Sequence, residues 1–204
     1  MNPVRELYYK SKVLGLFKKI FIYWPLQKIY GFNSWHMIPI CQKHYAIEII
    51  SKTEEIMREN NFPVVEIGCG RGDIIGNIRY NQKFGIDLSP EVLKVARLFH
   101  HDTEFIAGGF DKIEFGEISC LIMVNFIHGI SPSEMRENMK SIFAKNNVKF
   151  VCFDVITDKE RSEYKYTHSG REMLGEDYES FYVGRKYRAA NFASRHIEFW
   201  RKKE

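Results

Sequence analysis

Glu66-Ile67-Gly68-Cys69-Gly70-Arg71-Gly72-Asp73 sets a carboxylate and three alternating glycines directly after the apolar pair Val64-Val65. Glycines let the backbone approach a ligand closely and take up positive φ without a Cβ clash. A second apolar stretch, Phe84-Gly85-Ile86, ends in Asp87, about 20 residues beyond the first glycine, the spacing that places a carboxylate on a ribose. Such an acid can accept hydrogen bonds from two vicinal hydroxyls. Together the two features imply an adenosine-like cofactor. The third small position of a dinucleotide fingerprint, G-x-G-x-x-G/A, is taken by Asp73, whose carboxylate would repel a pyrophosphate. At a helix N-terminus the same acid would complement the dipole. No Gly-Lys-Ser/Thr follows, so a Walker loop is excluded.

The spacing Glu66-x-Gly68-x-Gly70-x-Gly72 resembles the first motif of class I S-adenosylmethionine-dependent methyltransferases. The resemblance implies S-adenosylmethionine as cofactor. Gly68, Cys69 and Gly70 then lie along its methionine part, Glu66 stands at the strand end beside the turn, and Asp87, followed by Leu88, takes the ribose. Adenine contacts usually follow the third strand, where this chain has Gly109-Phe110 in place of an Asp-Ala type pair. Phe110 could stack on the ring, or Asp111 could supply the acid one position late; a core aromatic is the ordinary alternative for Phe110. Past the fourth strand, Asn125 would face the sulfonium or the nucleophile and Phe126 would cover the cofactor. His128 is the candidate base because its unperturbed pKa lies near neutrality, although a histidine there often only packs or caps. Methyl transfer is an in-line displacement that needs alignment and water exclusion. A base is needed only for a poor nucleophile such as a hydroxyl. No His/carboxylate cluster has metal-ligand spacing, so no metal site is expected.

These residues need strands and helices in alternation to bring them together. Apolar residues among acids and lysines predict an amphipathic helix over 41–60, ended by Asn60-Asn61 and Pro63. Strands follow at Val64–Ile67, at a second stretch ending on Asp87, at Glu104–Ala107, at 118–124 and at 150–156. A helix is expected from about Asp73 through Ile78. Others open at Ser89-Pro90 and Ser131-Pro132, each a serine N-cap with proline at N1. Two tail strands, near 181–191 and 195–200, would close the sheet. The expectation is an α/β, Rossmann-like fold: a mostly parallel seven-stranded sheet with helices on both faces, and a helical N-terminal extension. Residues 46–204 form the cofactor-binding domain and residues 1–45 the extension, a cap or substrate lid.

Composition fits a globular enzyme: 204 residues, 45% hydrophobic and 27% charged. A net charge of +4 is too small to argue for nucleic acid. Cys41, Cys69, Cys120 and Cys152 form no C-x-x-C pair and read as buried thiols in a reducing cytoplasm. No secretory signal or transmembrane run is expected.

The two ends must choose the acceptor. Arg5, Lys10, Lys12, Lys18, Lys19 and Lys28 face Glu6 alone in the first thirty residues, interleaved with Leu14, Leu16, Phe17, Ile20, Phe21, Tyr23 and Trp24. A peripheral contact with an anionic membrane is one reading. Because the apolar residues nearly surround the helix, packing on the body or a homodimer contact is favoured. Tyr30-Gly31-Phe32-Asn33-Ser34-Trp35-His36 and Tyr164-Lys165-Tyr166-Thr167-His168 resemble segments of bacterial methyltransferases associated with surface-polysaccharide gene clusters, with Asn33 in place of the usual Asp. The resemblance implies an acceptor that is a sugar, nucleotide-sugar or glycan precursor, contacted by Trp35, His36, Tyr166 and His168; an RNA or protein methyltransferase, or a non-catalytic cofactor-fold binding module, is the alternative. His168 joins Asn125 and His128 as a catalytic candidate.

Overall fold

The computed structural model describes residues 11–157, 164–188 and 194–204. Its strands are β1 Val64–Ile67, β2 Lys83–Asp87, β3 Glu104–Ala107, β4 Gly116–Met123, β5 Asn146–Ile156, β6 Tyr178–Val183, β7 Tyr187–Arg188 and β8 Ser194–Lys202. They join in one sheet ordered β3-β2-β1-β4-β5-β8-β6, with the short β7 beside β8. The first five lie parallel, and β8 runs antiparallel to β5 and β6. The mostly parallel seven-strand frame is present, and strand order reverses beside β1, the switch point outside whose strand carboxyl ends open α/β sheets bind their ligands.

Six α-helices are described: α1 Lys12–Lys18, α2 Trp24–Tyr30, α3 His44–Ile56, α4 Pro90–Phe99, α5 Pro132–Lys145 and α6 Gly170–Leu174. Alternate residues of each strand point to opposite faces, and the core divides accordingly. Val64, Cys120, Ile122, Cys152, Ile197 and Phe199 pack with Ile49 and Ile50 of α3 and Leu93 and Ala96 of α4. Val65, Ile67, Leu121, Met123, Val151 and Phe153 pack with Met135, Met139 and Ile142 of α5 and with Met173 and Leu174 of α6. All four cysteines are buried free thiols.

The local signals act as read at several ends. Ser89 Oγ accepts the Val92 N–H and Ser131 Oγ accepts the Glu134 N–H, each at 3.3 Å, with proline opening both helices. Asn60 Nδ2 donates to Ile56 O at 2.8 Å and closes α3. The helix expected from Asp73 does not form. Turns and a single 3-10 turn, Ile75–Asn77, fill the space before β2. β-Branched Ile74, Ile75 and Ile78 with Gly76 have poor helix propensity, and all three isoleucines are buried instead. β5 starts at Asn146 rather than at Phe150. Asn146 accepts from the Phe115 and Gly116 amides and donates to Ile113 O and Ile142 O, fastening the end of α5 to the start of β4. The first tail strand is shorter than expected and split into β6 and β7; the end of its expected range, 189–191, lies outside the described residues.

The N-terminal segment packs on this body through α1, a π turn at Lys19–Tyr23 and α2. Gly15 lies so close to Cys41 that a Cβ would stand 2.3 Å from its Sγ. After α2 the chain turns through Gly31 at φ 73°, and Phe32 inserts against Val92 and Val95 of α4. At 2% exposure, Phe32 contributes about 2–3 kcal/mol of burial to holding the segment down. The helix is apolar all round in sequence but two-sided in structure. Tyr23 is buried, whereas Val13, Leu16, Phe17, Ile20, Phe21 and Trp24 are exposed. Arg5, Glu6 and Lys10 lie outside the described residues.

Candidate active site

The glycine turn after β1 needs its glycines. Gly68, Gly70 and Gly72 have φ of 69°, 54° and 73°. A Cβ on Gly68 would meet the Phe126 ring at 2.4 Å, and one on Gly70 would meet His36 Nδ1 at 2.8 Å. Asp87, at the end of β2, closes on this turn. Its Oδ2 accepts the Gly70 N–H at 2.8 Å and its Oδ1 the Ser89 N–H at 2.9 Å. Each oxygen keeps one further lone pair. Cys69 donates its N–H to Ile86 O at 3.1 Å, while its thiol is buried and pushed well above the usual thiol range, so it presents backbone only. Glu66 accepts the Ile75 N–H at 2.9 Å, and burial pushes its pKa up to about 8 despite that bond. Neutral at pH 7, it braces the turn from below.

Asp73 is not a helix-dipole acid, since no helix starts there. Its Oδ2 lies 2.6 Å from Lys43 Nζ and 2.8 Å from Arg71 Nη2. Burial opposes its charge, but Arg71 and Lys43 outweigh it and hold the carboxyl well below the usual range. Arg71 also donates to Ile38 O at 3.0 Å and stacks its guanidinium 3.6 Å above the Tyr23 ring. This cluster clamps the N-terminal segment over the glycine turn. Trp35 Nε1 donates to His36 Nε2 at 2.9 Å, so the neutral imidazole carries its proton on Nδ1, the nitrogen facing Gly70. Burial is the main cause that lowers the His36 pKa to about 4.

The end of β4 carries the other candidates. Asn125 has φ 74° and ψ −48°, the γ-turn region that a side chain rarely occupies. Three contacts hold it there. Its N–H donates to Asp154 Oδ1 at 2.8 Å, its Nδ2 donates to Tyr45 OH at 2.7 Å, and its Oδ1 accepts from Arg195 Nη1. Such strain costs on the order of 1–3 kcal/mol and points to a functional position. Asp154 Oδ2 also approaches Arg195 Nη1 at 3.2 Å and His128 Nε2 at 3.1 Å. Burial opposes the Asp154 charge; His128 and Arg195 outweigh it and lower its pKa. His128 is fully buried against Tyr164 and His168, ring centroids 5.1 and 5.9 Å away; neither ring nitrogen has a hydrogen-bond partner among the described residues, Nε2 standing at ion-pair distance from Asp154 without hydrogen-bond geometry. His168 bonds Ile127 O at 2.9 Å, and Tyr166 donates its N–H to His128 O at 3.1 Å, which pins the segment after β5 onto the β4 turn.

On the adenine side, Leu88 is 80% exposed at the mouth, and the Phe110 and Phe126 rings stand 5.9 Å apart. Asp111 accepts the Gly109 N–H at 3.2 Å and pairs with Lys112 at 3.1 Å, both within its own turn. The expected residues therefore fall into two groups. His36 meets Gly70 at the glycine turn, with the exposed Trp35 bonded to its other ring nitrogen; Asn125, His128, Tyr166 and His168 gather past β4. Sequence reading missed Lys43, Tyr45 and Arg195. Arg195 had a signal: it shares the buried phase of β8 with Ile197 and Phe199, where a charge requires a partner. Among the described residues no three His, Cys, Asp or Glu side chains come together as metal ligands.

No protein-family model and no curated protein sequence matches the chain. Solved structures do. Magnesium protoporphyrin IX methyltransferase (ChlM) from Synechocystis, with bound S-adenosylhomocysteine, superposes with a TM-score of 0.65 at 10% identity, covering 98% of this chain and 98% of that one. N-methyltransferase NodS from Bradyrhizobium japonicum gives 0.64 at 11% identity, over 79% of this chain and 96% of that one. An S-adenosylmethionine-dependent methyltransferase from Clostridium acetobutylicum gives 0.61 at 10%, over 79% and 92%. Strand order, closing hairpin and these likenesses agree: the chain has the fold of the class I S-adenosylmethionine-dependent methyltransferases.

Proposed function

We propose that this protein transfers a methyl group from S-adenosylmethionine to a small-molecule acceptor, a sugar, nucleotide-sugar or glycan precursor, in the cytoplasm. One observation carries the cofactor reading. Asp87 stands over a positive-φ glycine turn with one free lone pair on each carboxylate oxygen, a match for two vicinal ribose hydroxyls. Glycine at 68 and 70 lets the Phe126 ring and His36 close directly on the backbone of the turn, and exposed Leu88 with the Phe110–Phe126 pair offers apolar cover for a flat base. Three of the similar structures hold S-adenosylmethionine or its demethylated product. Names as different as a porphyrin methyltransferase and NodS leave the acceptor open from fold alone.

When bound, the cofactor supplies a methyl group on a positively charged sulfur. The chain's residues align the acceptor, exclude water and handle a proton. Gly68 and Gly70 with Asp87 hold the donor, and Phe126 walls it. The segment up to Tyr45 acts as a cap, with His36 Nδ1–H directed at the turn. Asn125, fixed by Tyr45, Arg195 and Asp154, orients the acceptor. If the acceptor is a hydroxyl, His128 takes its proton and Asp154 stabilises the resulting imidazolium. Tyr164, Tyr166 and His168 must then part to admit the acceptor, because they enclose His128. Aromatic faces and histidines in this segment suit sugar rings and hydroxyl or phosphate groups, in line with polysaccharide biosynthesis.

The test is a turnover screen with methyl-labelled S-adenosylmethionine against nucleotide-sugars, phosphorylated sugars and small amines. Label in a sugar-bearing product is expected. Transfer only to RNA or protein would overturn the acceptor class. Equal turnover by His128→Ala would remove His128 as the base.

A further inference from the structure

We propose that the outer face of the N-terminal helix seats the protein on an anionic lipid bilayer, lying in the plane of the headgroups. Residues 12–30 run as one helical rod, α1, the π turn and α2. Its inner side is committed to the body: Gly15 abuts Cys41 and Pro39, and the Tyr23 ring lies beneath Arg71 and edge-on to Phe99. Its outer side bears Val13, Leu16, Phe17, Ile20, Phe21 and Trp24, between 49% exposed at Ile20 and 82% at Val13. Positions 13, 16, 17, 20 and 24 follow the three- and four-residue steps of a single helical stripe. Phe21 widens it, its ring 4.7 Å from Phe17. A monomer rarely leaves so large an apolar face in water without a partner.

Charge decides which partner. Exposed Lys12, Lys19 and Lys28 lie along this rod, Lys28 above the Trp24 ring at 5.9 Å, and residues 11–30 contain no acid. A second copy docked through the same face would confront lysines with lysines and offer no carboxylate. Bulky apolar side chains at the centre are equally ill-suited to a nucleic-acid backbone. A layer with a hydrocarbon interior and anionic headgroups meets both parts of the face at once: apolar residues enter, and lysines stay at headgroup level. None of the described helices is long and apolar enough to cross a membrane, so the rod lies on the surface. The arrangement also has a consequence for the site. The helix that meets lipid on its outside rests on Arg71 of the glycine turn on its inside, which holds the crevice within about one helix diameter of the bilayer, ~10–12 Å. An acceptor carried on a lipid would be presented there. Lipid binding itself does not rest on the methyl-transfer reading and is measured without turnover.

The test is flotation of the full chain with vesicles of phosphatidylglycerol and phosphatidylcholine, against vesicles of phosphatidylcholine alone. The protein should float with the anionic vesicles only, and raised salt should weaken the association. The double substitution Phe17→Ser with Phe21→Ser, and separately Lys12→Glu with Lys19→Glu, should each lower partitioning at least tenfold. All four positions are exposed, so thermal unfolding should be unchanged. Failure to float with anionic vesicles overturns the proposal, as does flotation that survives both double substitutions. A dimer in light scattering that Phe17→Ser with Phe21→Ser splits into monomers would assign the face to a second copy instead.

Discussion

Asp73→Ala should loosen the N-terminal segment from the body. The Asp73 carboxylate lies 2.6 Å from Lys43 Nζ and 2.8 Å from Arg71 Nη2, with 13% of the side chain exposed and only 2% of that of Arg71. Alanine leaves Arg71 enclosed with one carbonyl and one aromatic ring as partners. Breaking a buried pair from one side costs about 3–5 kcal/mol, because the remaining charge is stranded. For a chain of 150–250 residues each kcal/mol moves the melting temperature by about 2–4 °C, so a fall of roughly 6–20 °C is expected. Circular dichroism melts give the shift, and limited proteolysis should show earlier cleavage within residues 11–43. Lys43→Met should cost less, since Arg71 still neutralises the carboxylate, and the two substitutions should be strongly non-additive. A melting shift below about 2 °C, or additive losses, would show that this cluster does not hold the cap.

Other outcomes follow from the same site. Glu66 has a folded pKa raised from 4.5 to about 8, mainly by burial. Between those values the unfolded chain ionises and the folded one does not, so this residue makes the protein less stable as pH rises through the window and has no further effect above it. Glu66→Gln keeps an acceptor for Ile75 N–H and removes the penalty. Its advantage in urea unfolding should grow from near zero at pH 4.5 to at most about 5 kcal/mol above pH 8, taking ~1.4 kcal/mol per unit; parallel pH profiles would contradict this. At Asn125, with φ 74°, glycine should be better tolerated than alanine by about 1 kcal/mol, since both lose the Tyr45 and Arg195 contacts and only alanine keeps the strain. Equal stabilities would show that the γ conformation relaxes.

The strands were legible because their signals are local. Val64–Ile67 and Glu104–Ala107 occur with the ends read from sequence, and Ser89 and Ser131 cap the helices they announced. What failed depended on distant partners. Asp73 looked like a helix opener, yet its role is set by Lys43, thirty positions away in the chain. The stretch after it looked amphipathic, but β-branched isoleucines and a glycine carried it into the core as turns. The N-terminal rod looked uniformly apolar because sequence does not say which side the body occupies; Gly15 and Tyr23, the two buried members, mark that side only once Cys41 and Arg71 are seen against them. In the site, Asp87 and the glycines could be read from spacing, whereas the Asn125–Arg195–Asp154 network joins residues from the turn after β4, from β5 and from β8.

The cofactor claim is tested most directly by isothermal calorimetry of S-adenosylhomocysteine on the parent and on Asp87→Ala. The account predicts one site per chain in the parent and a loss of at least tenfold in affinity in the variant, as two hydroxyl acceptors vanish and the Gly70 N–H is released. No binding to the parent, or the same affinity in both proteins, would contradict it.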